Sequence, residues 1–349
     1  MGSKIEEDVK LDFSSVLIKP KPSNLNSRSL VSLERTITHF KYSPVVWSGT
    51  PIISANMDTT GTFEVCECLS QYKIVTALHK FYSVEDYKEF NKKNIDPNHF
   101  MVSTGINDNA IEKLISIFQV ISCNWICIDI ANGYISNLVT FCEKVRQTFP
   151  DKIIVAGNVV CPQLVEKLIL DGKVDVVKVG IGPGSACTTR IKTGVGMPQL
   201  STVLECSRKA EFLKGHIISD GGITCPGDMA KAFGGGADFV MVGGQFAGHD
   251  QNPGSVQDID GRKFKFFHGM SSDKAQVTHY GKMEKYRSSE GRVLKIAYKG
   301  DLNNTVLDYL GGLRSTCTYI NAPSIEDMER CTTFVKVQHQ YNSVFIQSN

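Results

Sequence analysis

Residues 153–180 read IIVAGNVVCPQLVEKLILDGKVDVVKVG. The stretch opens on an apolar run, Ile153–Ala156, breaks at Gly157-Asn158, and continues into Pro162–Leu170, which suits an amphipathic helix. It closes on a second run, Val174–Val179, ending at Gly180. Ile153–Ala156 is continuous rather than alternating, as a strand covered on both faces should be. Strand, helix and strand in this spacing form one βα repeat of a parallel sheet.

The same repeat extends in both directions. Further strand-like runs are Ile52–Ala55, Ile74–Leu78, Met101–Thr104, Trp125–Ile130, Ile217–Ser219 and Phe239–Val242, with helical segments at Ser83–Asn91, Ile111–Phe118 and Ile135–Phe149. Eight strands alternating with helices predict an α/β fold, a single (β/α)8 TIM barrel; an open doubly wound sheet is the alternative. The strands end in Asn56-Met57-Asp58, His79-Lys80, Gly105, Asp129, Gly157-Asn158, Gly180, Asp220-Gly221-Gly222 and Gly243-Gly244. In a barrel those ends converge on one mouth, where active sites are built. Two connections read as long active-site loops: Gly180 to about Gly215 after strand six, and about Ala247 to Arg314 after strand eight. The second holds an expected hairpin, Val256–Ile259 and Lys263–Phe267 around Asp260-Gly261. The first forty and last thirty residues read as extensions packing on the barrel.

Length alone would allow two domains, but single barrels reach 349 residues. The formal net charge of +2 implies no general attraction to nucleic acid or membrane. The start of the chain lacks the apolar core of a signal peptide. Eleven scattered cysteines without a CxxC pair fit a reducing, cytoplasmic setting better than a disulfide framework or a zinc site.

Glycines after strands seven and eight, Gly221, Gly222, Gly243 and Gly244, let backbone amides approach an anion, and barrels often hold phosphate there. Tight turns are the plainer reading. After strand six, Gly180 to Arg190 form a glycine-rich loop around Cys187. The neighbouring hydroxyls, backbone donors and Arg190 would favour a thiolate. Those features leave a nucleophile and a structural cysteine both open.

Gly182-Pro183-Gly184-Ser185 through Cys187-Thr188-Thr189-Arg190 closely resembles the active-site loop of the IMP dehydrogenase and GMP reductase family. Leu11-Asp12-Phe13, Ala55-Asn56-Met57-Asp58, Asp129 with Ala131-Asn132-Gly133, Ala156-Gly157-Asn158-Val159, Ser219-Asp220-Gly221-Gly222 and Gly269-Met270-Ser271-Ser272 resemble family signatures in the same order. Three features resemble the reductase branch. Only Phe81–Phe100 separates strands two and three, where the dehydrogenases carry an inserted regulatory module. Lys192 to Gly196 looks like the reductase form of the loop. Tyr286 to Gly291 resembles the segment bearing a catalytic glutamate.

The resemblance implies NADPH-dependent reductive deamination of GMP to IMP and ammonia through a covalent Cys187 thioimidate, with Thr189 and Glu290 handling protons. It implies substrate contacts from Asp220, Gly221, Gly222, Gly243, Gly244, Gly269, Met270, Ser271, Arg287, Ser288, Ser289 and Gly291. For the cofactor it implies Lys80, Asp129, Ala131, Ile181, Gly182, Met270, Tyr286, Arg287 and Ser315, Thr316, Cys317 and Thr318, with Ser27 and Arg28 reaching in from a neighbouring subunit of a homotetramer. It further implies a monovalent cation, usually potassium, at Gly182, Gly184 and Cys187, with Arg190 nearby. Competing readings are an IMP dehydrogenase using NAD, and a non-catalytic purine-nucleotide-binding barrel.

Overall fold

A computed structural model of the protein describes residues 5–270, 272 and 290–338. Eight parallel strands run Trp47–Ser54, Ile74–Leu78, Phe100–Thr104, Trp125–Asp129, Ile153–Val159, Val176–Val179, His216–Asp220 and Phe239–Val242. Each pairs with the next, and the last returns to the first, with Val240 opposite Ile52 and Val242 opposite Ser54. The sheet is therefore closed, a (β/α)8 barrel, and all eight strands fall on the runs expected from the sequence. The open-sheet alternative is excluded by that last pairing. Every residue of Ile74–Leu78, Phe100–Thr104 and Phe239–Val242 is buried, which explains why these runs do not alternate.

The end of the barrel opposite the mouth is stoppered by aromatic rings. Trp47, Trp125 and Phe239 start the first, fourth and eighth strands. Their rings meet edge to face at centroid distances of 4.9–6.1 Å, with Phe40 against Trp125 at 5.6 Å. Beside them, the buried carboxylate of Asp175 accepts from the backbone amides of Tyr42, Ser43 and Ile154 and from Arg146 at 2.5 Å. It fastens the incoming N-terminal segment beneath the strands. The two extensions also hold each other, because Val16–Ile18 pairs antiparallel with Phe334–Lys336.

The long connections are shorter than the sequence suggests. Gln199–Phe212 is a barrel helix, so the loop after strand six ends at Pro198 rather than near Gly215. Serine, threonine and a buried glutamine on its inner face hide the apolar stripe that would mark it. Leu302–Ile320 is likewise a helix, so the connection after strand eight ends at Gly300–Asp301 rather than Arg314. Gly311-Gly312 and two asparagines mask its helical character, yet Leu302, Val306, Tyr309, Leu313, Cys317 and Ile320 keep the three-to-four spacing and are buried. The expected hairpin forms as Gln257–Ile259 and Arg262–His268, with Val293–Ala297 as a third strand. Asp260 and Gly261 both take positive φ, 53° and 74°, as a two-residue I′ turn requires. Among the described residues, no helix is long and apolar enough to cross a membrane.

Candidate active site

A cavity of about 240 Å³ opens at the carboxyl ends of the strands. Cys187 lies on its wall, together with Asp129 from strand four and Asp220 from strand seven. The cysteine loop reaches this place by close backbone packing. Gly182 adopts φ 88°, and a Cβ there would meet Cγ of Arg190 at 2.6 Å. Gly221 adopts φ 90°, where a Cβ would meet Cγ of Pro183 at 2.9 Å. Only glycine combines that conformation with that approach.

Cys187 Sγ lies 3.2 Å from Oγ1 of Thr189, and Thr189 Oγ1 lies 2.7 Å from Oε2 of Glu290. The thiol can donate to the hydroxyl while the hydroxyl donates to the carboxylate, giving one unbroken path for a proton. Glu290 arrives by backbone pairing. Cys187 and Gly291 form an antiparallel bridge, Thr188 N–H donates to the Glu290 carbonyl at 2.8 Å, and Arg292 N–H donates to the Ala186 carbonyl at 3.0 Å. Arg292 also donates through its guanidinium to the Ser185 carbonyl at 2.9 and 3.1 Å.

Arg190 is held by two partners. Its guanidinium donates to Asp12 at 3.1 Å and to the Met197 carbonyl at 2.6 Å, so it braces the loop against the N-terminal extension. Among the described residues, the hydrogen-bond partner of the Cys187 sulfur is Thr189. Cys123, Cys127 and Cys142 are buried, and burial pushes their thiols up to about 12. None of the eleven forms a disulfide.

Below the cysteine loop, Lys178 projects from strand six with its side chain 3% exposed. Its ammonium lies 2.5 Å from Asp129 and 2.7 Å from Asp220. Burial alone would push Lys178 down, but the two carboxylates more than offset it and raise it. Asp129 is lowered, since Lys178, Lys80 and Asn56 outweigh its own burial. Asn158 donates to the Gly180 carbonyl at 2.7 Å and to Asp220 at 2.8 Å. Its Oδ1 is buried and meets no donor among the described residues. Sequence reasoning singled out neither Lys178 nor the side chain of Asn158. A charged residue inside the otherwise apolar run Val176–Val179 was the available signal.

The cavity gathers Gly182, Gly184, Cys187, Thr189, Gly221, Gly222, Gly243, Gly244, Gly269, Met270, Glu290 and Gly291, all expected from the sequence. A second cavity, of about 380 Å³, adjoins it. Ala131, Ile181, Thr189 and Glu290 form part of the wall of both. Ser271, Tyr286, Arg287, Ser288 and Ser289 lie outside the described residues. Lys80 lines neither cavity, although its charge is felt at Asp129. Ser27 caps the exposed turn Arg28–Leu30, which packs against the helix carrying Ser315, Thr316, Cys317 and Thr318. None of these six residues lines either cavity. The Cys317 side chain is fully buried.

Residues 10–342 match the family model of the IMP dehydrogenase / GMP reductase domain. The chain is 53% identical to "GMP reductase 1" of Homo sapiens over 344 residues, covering 98% of this chain and 99% of the human one. It is 54% identical to "GMP reductase" of Salmonella typhi over 345 residues, with the same coverage.

Proposed function

The chain belongs to the IMP dehydrogenase / GMP reductase family, and we propose that it works as a GMP reductase, an oxidoreductase that converts GMP to IMP and ammonia with NADPH. The observation that carries this reading is the continuous path from the Cys187 sulfur through Thr189 to Glu290 inside the cavity. C2 of the guanine ring is an electrophilic, amidine-like carbon that a thiolate can attack, but its amine leaves only if protonated. Glu290 takes the thiol proton by way of the Thr189 hydroxyl as the sulfur–carbon bond forms. The same pair returns a proton to the amine, which departs as ammonia and leaves a thioimidate on Cys187.

NADPH, when bound, supplies the hydride that replaces sulfur at C2. The second cavity beside Thr189 and Glu290 would receive its reacting end, and Ala131 and Ile181 on the shared wall would hold it, with Asp129 and Gly182 alongside. Ser27, Arg28 and Ser315 to Thr318 would serve the cofactor of a neighbouring copy in a homotetramer. The turn Arg28–Leu30 packs against the helix that carries Ser315 to Thr318. Burial of the Cys317 side chain leaves its backbone for any such contact. Asp220 and Asn158 Oδ1 would meet the ribose, while Gly221, Gly222, Gly243 and Gly244 would hold the phosphate. Carbonyls of Gly182, Gly184 and Cys187 suit a potassium ion, a hard cation that prefers oxygen. Arg190 would support the loop through its bonds to Asp12 and Met197.

The one helix and short turn between Leu78 and Phe100 favour the reductase branch over the dehydrogenase, as no regulatory module is inserted there. Eleven unpaired cysteines support a cytoplasmic setting. The test is an absorbance assay. NADPH should be consumed with GMP, with ammonia released in equal amount. NAD reduction with IMP would instead identify a dehydrogenase, and GMP-dependent NADPH loss without ammonia would overturn the mechanism.

A further inference from the structure

We propose that Lys178 is a positioning residue for this reaction: its ammonium holds Asp220 and Asp129 side by side, so that the carboxylate serving the substrate and the one serving the cofactor stay ionised and oriented together. The inference rests on the assignments of Asp220 and Asp129 made above.

The strand has no need of a lysine. Val176, Val177 and Val179 are fully buried, and an apolar residue at 178 would continue the same run. The chain instead buries an ammonium and gives it two carboxylates, at 2.5 and 2.7 Å. Burying an ion is unfavourable unless it is paired, and one carboxylate would suffice for neutrality. The second partner points to a role in the site. Asp129 ends strand four and Asp220 ends strand seven, on opposite sides of Lys178 on strand six. Each lines the cavity that holds Cys187.

The other groups facing this cluster do not replace the ammonium. Asn158 donates to Asp220, and Asn56 hydrogen-bonds to Asp129. The Lys80 charge reaches Asp129, and the neighbouring Cys127 thiol is held neutral by burial. Without Lys178 two carboxylates would remain on the order of 5 Å apart in a shielded site, and one of them would take up a proton near neutral pH. Lys178 therefore offsets the repulsion between the two carboxylates.

The experiment compares the wild type with K178M, K178R and K178M/D129N. GMP affinity is measured by calorimetry from about pH 5 to 8, with no turnover required, and thermal melts are recorded without nucleotide over the same range. K178M is expected to bind GMP about tenfold more weakly, with a pH dependence beyond that of the nucleotide's own phosphate. Its melting temperature should fall with rising pH relative to wild type, because a carboxylate raised in the folded state loses stability as it ionises. K178R retains the cation and should show neither added dependence. K178M/D129N, with one carboxylate fewer, should recover GMP affinity and lose both pH effects. If K178M does not fold, the double variant decides alone: folding with GMP binding restored supports the proposal, and folding without binding overturns it. K178M with wild-type affinity and a wild-type pH profile overturns it as well. A wild type that binds no GMP would instead overturn the reductase reading beneath it.

Discussion

The Thr189 hydroxyl lies 2.7 Å from the Glu290 carboxylate, across 101 positions of sequence. Its other neighbour is the Cys187 sulfur at 3.2 Å, so among the described residues the hydroxyl links thiol and carboxylate. Glu290→Gln preserves shape but cannot take a proton, and Thr189→Ala breaks the link. Either change is expected to slow ammonia release by about 10²- to 10⁴-fold, the usual worth of a positioned acid–base group. Rapid-quench assay of ammonia checks this, and near-normal release in either variant would remove that residue from the relay.

Cys187→Ala should still bind GMP, because the cavity walls that receive ribose and phosphate come from other strands. It should form no covalent adduct. Intact-protein mass spectrometry after incubation with GMP checks the point, and an adduct in the alanine variant would refute the nucleophile.

Asp175→Ala is expected to destabilise the fold by about 3–5 kcal/mol, the range for breaking a buried ion pair by removing one partner. The carboxylate is fully buried, and its loss leaves three backbone amides and Nη2 of Arg146 without their acceptor. Urea denaturation reads the change directly. A shift under about 1 kcal/mol would show that water or a rearranged Arg146 replaces the carboxylate.

His216 provides a pH signature at the closed end of the barrel. Burial lowers its pKa, but the Asp238 carboxylate 3.0 Å away more than offsets this and the net shift is upward. A histidine raised on folding contributes stability that is complete below its unfolded pKa of about 6.5 and is lost as pH rises through the folded value. Melting temperature should therefore decline above about pH 6.5, and His216→Gln should flatten that part of the profile. An unchanged slope in the variant would assign the decline to other groups.

The strands were readable in the sequence because burial on both faces leaves a local mark. Ile74–Leu78, broken only by Thr76, and Phe239–Val242 are apolar runs, and both form at those bounds. The Asp260-Gly261 hairpin was readable for the same reason, since two adjacent residues set its turn. The helices Gln199–Phe212 and Leu302–Ile320 lie inside the connections that read as long loops, because polar or glycine residues interrupt their buried faces. There, packing outweighs local propensity.

Cys187 itself was visible in its loop, and the family resemblance named Thr189 and Glu290. What the linear chain could not supply is the contact among them. The carboxylate reaches the hydroxyl only because Gly291 pairs with Cys187 and Arg292 with Ala186, and such pairings between distant segments carry no periodicity. Lys178 is the sharper case. In the sequence it is one charge inside a valine run. In the barrel, closure of the sheet sets strands four, six and seven around one mouth, and the same lysine becomes the shared partner of Asp129 and Asp220. The identity of each residue is local, but an ion pair depends on distance in space, and here that distance is decided by barrel closure.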